Sequence, residues 1–99
     1  MRDDKENLTV DLTFKFSLAI LDYCEQLESK KKYIVARQLL KSGTSIGANT
    51  REAQNAESKA DFIHKFKIAA KEADETQYWL LLCKESHHYP DPEKLLDEL

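Results

Sequence analysis

The sequence predicts an all-α protein, an up-down antiparallel helix bundle with three long helices and a short or truncated fourth. Three observations carry that expectation. Only 2 Gly and 2 Pro occur in 99 residues, whereas an all-β sandwich or barrel needs a turn signal roughly every 8–12 residues. Apolar residues recur at i, i+3 and i+4 through three long segments, the spacing of one helix face. The interruptions, at Lys30-Lys31-Lys32, before Ser58 and at Tyr89-Pro90-Asp91-Pro92, are short. Residues 1–99 therefore make a single helical domain.

The first element opens ambiguously. Leu8, Val10, Leu12, Phe14 and Phe16 alternate, which alone would suggest a strand. Leu12, Phe16, Ala19, Ile20, Tyr23 and Leu27 then follow helical steps, so a helix is expected from about Asp11 to Ser29, with residues 1–10 as a flexible or extended lead-in. Three lysines follow as a solvated turn, where positive charge suits a helix carboxyl end. The second helix is expected from Tyr33 to about Ala56, with Val35, Ala36, Leu39, Leu40, Gly43, Ile46, Gly47, Thr50 and Ala53 as its stripe. Gly43 and Gly47 each cost roughly 1 kcal/mol in helix propensity. They imply either a break or a seam where another backbone comes close; one continuous helix is expected.

The third helix is expected from Ser58 to about His87, with Ser58 as N-cap and Asp61 as a capping-box partner. Phe62, Ile63, Phe66, Ala69, Ala70, Ala73, Leu80 and Leu81 read as its core stripe. Ile68, Trp79 and Leu82 fall on a second apolar face, with Glu72 and Glu75 between them and Tyr78 nearby. That second stripe calls for a further partner surface, and these three residues are the candidate oligomer interface. Asp91 as N-cap, Pro92 at the first position and Glu93 in the first turn start the last helix, edged by Leu95, Leu96 and Leu99.

Charge narrows the function classes. Fifteen Lys and Arg stand against 18 Asp and Glu, a net charge of -3, so no whole-chain field favours nucleic acid or anionic lipid. No segment is apolar enough to span a membrane, and the acidic start does not resemble a signal peptide, so the expected compartment is the cytoplasm. There Cys24 and Cys83 are expected as reduced, packed thiols. The closing Leu96-Asp97-Glu98-Leu99 resembles a retrieval signal, but without a leader it is read as chance.

No catalytic constellation emerges. Ser42, Thr44 and Ser45 have no histidine near them in sequence, and no nucleophile elbow or phosphate loop is present. Glu85 and His88 have the E-x-x-H spacing of di-iron bundles, but such sites need two copies and further carboxylates. Cys83, His87 and His88 lack a second ligand pair. No enzyme activity, metal or cofactor is expected. A polar stripe, Gln38, Ser42, Ser45, Asn49 and Glu52, runs beside the second helix's core. Its groups are expected to hydrogen-bond a neighbouring helix, since an unsatisfied buried group costs roughly 1–3 kcal/mol. Glu72 and Glu75, if buried, need cations, with Arg37, Lys41 or Arg51 as candidates. The same three cations are the candidate nucleic-acid contacts, since a modest patch repeated in a symmetric assembly gains by avidity.

Gln38-Leu39-Leu40-Lys41-Ser42-Gly43-Thr44-Ser45-Ile46-Gly47-Ala48-Asn49, followed by Glu52-Ala53, resembles the signature of the four-helix-bundle family encoded by intervening sequences in bacterial 23S ribosomal RNA genes, also called the S23 ribosomal protein family. Phe62, Phe66, Ile68-Ala69, Lys71-Glu72-Ala73, Glu75-Thr76 and Tyr78-Trp79-Leu80 extend the resemblance, which spans roughly Leu12 to Leu96. It implies an up-down bundle, a homopentameric ring, and likeness to the accessory variability determinant of diversity-generating retroelements, which binds nucleic acid and a reverse transcriptase. It also implies a longer last helix than Pro92–Leu99. No catalytic residue comes with the resemblance. The expected function is a non-enzymatic, self-assembling bundle acting as a nucleic-acid-binding accessory or scaffold, with RNA or DNA as partner. The alternative is a protein-protein adaptor that binds no nucleic acid.

Overall fold

The structure is a computed structural model that describes residues 4–99, with side chains from Leu8 onward. Four helices follow one another: α1 (Asp4–Ser29), α2 (Tyr33–Ala53), α3 (Lys59–Glu85) and α4 (Glu93–Glu98). The all-α bundle with three long helices and a short fourth is what the sequence predicts. α2 packs against both α1 and α3, while α4 reaches from α3 to α1 at the opposite side. The molecule measures 45 × 21 × 18 Å, close to the length of a 26-residue helix at about 1.5 Å per residue.

α1 begins at Asp4, so residues 4–10 are helical and not an extended lead-in; residues 1–3 lie outside the described residues. The alternation misleads for a geometrical reason. Leu8 and Leu12, and Val10 and Phe14, are i, i+4 pairs, so a period-two run of this length also forms two adjoining helical ridges. Residues Ser29–Lys32 then make a Schellman turn. Lys31 adopts φ 63°, its N–H bonds the Glu28 carbonyl at 2.9 Å, and the Lys32 N–H bonds the Leu27 carbonyl at 2.8 Å.

α2 runs through both glycines without a break and ends at Ala53, a turn before the expected Ala56. Its last N–H donors bond three residues back, from Gln54, Asn55 and Ala56 to Arg51, Glu52 and Ala53, the tightening usual at a frayed helix end. The glycines are packing sites. A Cβ on Gly43 would sit 2.8 Å from Ile20 Cγ1, and one on Gly47 would sit 3.1 Å from the Thr13 carbonyl oxygen. Only Gly47 therefore meets a neighbouring backbone; Gly43 meets the buried Ile20 side chain.

Ser58 caps α3, accepting the Asp61 N–H at 3.1 Å, while the Asp61 carboxylate accepts the Glu57 N–H at 3.2 Å. The expected capping pair is present, shifted by one residue on the carboxylate side. α3 ends at Glu85 and His88 takes φ 70°, so Glu85 and His88 do not share a helix face. Asp91 accepts the Glu93 N–H at 3.0 Å, but α4 starts one residue later than expected, with Pro92 and not Asp91 at the N-cap. Tyr23 ties this corner down, its hydroxyl donating to the Pro90 carbonyl at 2.6 Å. Lys32 lies over the Tyr89 ring at 4.9 Å, and Lys84 pairs with Glu93 at 2.9 Å.

The core is built from Phe16, Ile20, Tyr23, Cys24 and Leu27 of α1, Ala36 and Leu39 of α2, Leu80 and Cys83 of α3, and Leu95 of α4. Both cysteines are buried and free, Cys24 donating to the Ala36 carbonyl at 3.5 Å. α3 corrects the predicted stripe. Its buried residues are Ala69, Thr76, Leu80 and Cys83, whereas Ile63 and Leu81 are 44% and 42% exposed and Ala70 is exposed. Apolar residues occur around most of this helix, so spacing alone does not fix which side faces in. Small side chains at the α2 contact decide it.

Candidate nucleic-acid interface

The second helix and the turn before it are electrically unlike the rest of the chain. From Lys30 to Ala53 the sequence holds Lys30, Lys31, Lys32, Arg37, Lys41 and Arg51 against one carboxylate, Glu52. That carboxylate is neutralised by Lys65 at 3.2 Å. The C-terminal segment is the reverse, with Asp91, Glu93, Asp97 and Glu98 against Lys94, and α1 carries mostly acids. Since α2 and α4 occupy opposite sides of the bundle, a net acidic protein presents one basic side.

Arg37, Lys41 and Arg51 are all exposed. On a 3.6-residue helix, steps of four and fourteen residues return within about 40° of the starting direction, so the three share the solvent face of α2. Arg37 and Lys41 are one turn apart, about 6 Å along the axis, comparable to the spacing of successive phosphates in a single strand. Among the described residues none of the three has an ion-pair partner. They do not neutralise Glu72 or Glu75, because neither glutamate needs it. Glu75 is exposed and accepts the Trp79 indole N–H at 3.3 Å, and Glu72 is only half-buried.

The polar stripe divides. Ser42 is fully buried and shares a 3.1 Å hydrogen bond with Thr76 of α3. Glu52 reaches Lys65. Ser45 and Asn49 instead turn back on α2, donating to the Lys41 carbonyl at 2.6 Å and the Ser45 carbonyl at 2.8 Å; Gln38 is exposed. The stripe thus registers α2 on α3 at two points and is locally satisfied at two more. Thr76, the other half of the buried pair, carries no periodicity signal because threonine is polar yet sits at the centre of the buried face.

The three interface candidates separate as well. Trp79 and Ile68 are half-buried within the protomer, Trp79 packing against the core and Tyr78 meeting it edge-on at 5.6 Å between ring centroids. Leu82 is exposed, alongside Ile63, Tyr78 and Leu81. The three candidates therefore sit at different depths on α3, Leu82 outermost.

One concave feature adjoins the basic face. Val10, Asp11, Phe14 and Ser17 of α1 face Thr44, Gly47, Ala48, Arg51, Gln54 and Asn55 across a cleft of about 820 Å³. Among the described residues no group of three or more His, Cys, Asp or Glu side chains converges to hold a metal. Among the described residues no helix is long and apolar enough to cross a membrane.

The model of the 23S rRNA-intervening sequence protein family matches residues 5–98. The chain belongs to that family. The fold of this 23S rRNA-intervening sequence protein is similar to the crystal structure of a protein of unknown function from the S23 ribosomal protein family of Bacteroides thetaiotaomicron. The TM-score is 0.88 and the identity 40%, over 95% of this chain and 87% of that one. No curated protein matches the sequence.

Proposed function

We propose that this protein is a non-catalytic, self-associating helical scaffold that binds nucleic acid along the solvent face of α2. The segregation of charge supports this reading most: of the six cations between Lys30 and Arg51, all but the half-buried Lys32 are exposed, on a chain whose net charge is -3. Charge placed against the overall sign is a local attractor for polyanions, and binding by it releases counterions in proportion to the phosphates contacted. The test is binding of a structured RNA across a salt series. The wild type should weaken steeply with salt, while Arg37→Glu, Lys41→Glu and Arg51→Glu together should abolish most of the affinity and flatten the slope. Affinity that ignores both salt and these substitutions would leave the adaptor alternative as the function.

Self-association is supported by a different observation. Ile63, Tyr78, Leu81 and Leu82 fall within about 100° of one another on α3 and expose apolar surface there, and Leu8 and Leu12, one turn apart, expose it on α1; clustered apolar surface of this kind marks interaction sites. α1 and α3 flank α2 on different sides, so the two patches are unlike. Unlike patches pair head-to-tail, which closes into a ring when the rotation allows. A homopentamer is the assembly implied by the family resemblance. Sedimentation of wild type beside Leu81→Glu tests this: the wild type should run as an oligomer and the variant as a smaller species with unchanged helicity. A wild-type monomer at micromolar concentration would remove the scaffold half of the proposal.

A further inference from the structure

The cleft between α1 and α2 is more specific than a basic surface. Gly47 lies in its lining, at a point where α1 and α2 come close enough that a Cβ would sit 3.1 Å from the Thr13 carbonyl oxygen. Its volume of about 820 Å³ falls in the range of small-molecule sites, roughly 300–1,000 Å³. Phe14 is 56% exposed at its edge, and no aromatic neighbour covers that ring among the described residues. Ser17 and Thr44 are spent on their own helices, donating to the Thr13 and Leu40 carbonyls. The polar groups left over are the side chains of Asp11, Arg51 and Asn55, none with a hydrogen bond or ion pair among the described residues, and the Gln54 Oε1, buried without a partner while its Nε2 donates to the Thr50 carbonyl.

An uncovered aromatic ring beside an uncommitted guanidinium is the chemistry of a base platform with a phosphate clamp. The carboxylate decides which base. Guanine alone presents two adjacent N–H donors on its Watson–Crick edge, which a carboxylate accepts together; adenine and cytosine offer one donor beside an acceptor, and uracil one donor between acceptors. We infer that this cleft takes an unpaired guanine nucleotide of a single-stranded nucleic acid, stacked on Phe14, with Asp11 at its Watson–Crick edge and Arg51 at its phosphate. The inference rests on the nucleic-acid reading above and narrows it: a paired base is already stacked on its neighbours and cannot enter.

Fluorescently labelled RNA decamers, one guanine-containing and one with adenine in its place, provide the test with the full chain. The guanine decamer should bind more tightly, and a duplex of the same sequence less tightly. Phe14→Ala should lower single-strand affinity about tenfold while Phe14→Tyr retains it, and neither should change duplex binding. Asp11→Asn is the sharpest arm. A carboxylate that only repels phosphate gives, when neutralised, higher affinity for both decamers alike, and that result overturns the inference; loss of the guanine preference supports it. Free GMP as competitor separates the two sources of the same chemistry: displacement only at far higher concentration than the decamer supports a strand, and equal affinity overturns it. If Arg51→Glu weakens binding but Phe14→Ala does not, the cleft fails and the basic face stands. If the wild type binds no RNA, both fail.

Discussion

The hydroxyls of Ser42 and Thr76 meet at 3.1 Å between α2 and α3, and both residues are sealed from solvent. Thr76 also reaches the Glu72 carbonyl at 2.7 Å, while Ser42 has only a 3.5 Å alternative at the Leu39 carbonyl. The two halves are therefore unequal. Thr76→Val strands the Ser42 hydroxyl and should cost about 1–3 kcal/mol, whereas Ser42→Ala leaves Thr76 a partner and should cost about 1 kcal/mol. Urea unfolding of both singles and the double should reveal a coupling above about 0.5 kcal/mol; strict additivity would mean the pair does not register the helices.

At Gly43 two terms oppose each other. Alanine gains up to about 1 kcal/mol of helix propensity, but its Cβ would lie 2.8–3.0 Å from three atoms of Ile20, which is 0% exposed. Overpacking of a filled core costs about 1–3 kcal/mol, so Gly43→Ala should lower the melting temperature. Shortening the neighbour with Ile20→Val should recover part of that loss in the double variant. A Gly43→Ala protein more stable than wild type would show that Ile20 has room to move.

Lys31 offers the opposite opportunity. Its φ of 63° costs a residue with a Cβ roughly 1 kcal/mol relative to glycine. Lys31→Gly should raise stability by about 0.5–1 kcal/mol, read as a higher urea midpoint at unchanged slope. It also removes one charge from the basic side, so RNA affinity should fall slightly while stability rises.

Alkaline pH should weaken the fold. Burial, helped by Glu28 and Cys83, pushes the Cys24 thiol up to about 11. Burial, with the Cys83 contact next, raises the Tyr23 phenol well above the usual range, and burial also raises Cys83 against a lowering by Tyr23. In each case the folded state holds the proton more firmly than the unfolded chain. The stabilisation is complete below pH 9 and is lost as pH climbs toward 11. Denaturation midpoints should fall across that window and less steeply in Cys24→Ala; parallel curves would assign the loss elsewhere. Iodoacetamide at pH 8 should label neither cysteine until denaturant is added.

Much of this fold is legible in the sequence, and the exceptions share a cause. α2 is read nearly to its ends because most of its stripe faces inward, Ala36, Leu39, Gly43, Thr50 and Ala53 being buried, although Leu40, expected in the stripe, is 38% exposed. α3 is misread in phase because Ile63, Ile68, Leu81 and Leu82 surround it while a threonine lies at its buried centre. Apolar side chains on more than one side of that helix leave its inward face ambiguous from spacing alone. The basic face could be read from Arg37, Lys41 and Arg51 alone. The cleft could not, since Phe14 and Arg51 are 37 positions apart and meet only because Gly47 brings α1 and α2 into contact.

The Tyr23 to Pro90 hydrogen bond joins residues 67 positions apart, whereas α1–α2 and α2–α3 are contacts between consecutive helices. Closing a long loop carries an entropy cost that adjacent helices largely avoid. The three long helices should therefore zip together rapidly and in sequence, with the α4 corner docking last. That corner should also be the first to open. Backbone amides of residues 93–98 should exchange hydrogen at the rate of a local excursion, while those around Leu39 and Leu80 wait for the whole bundle to unfold.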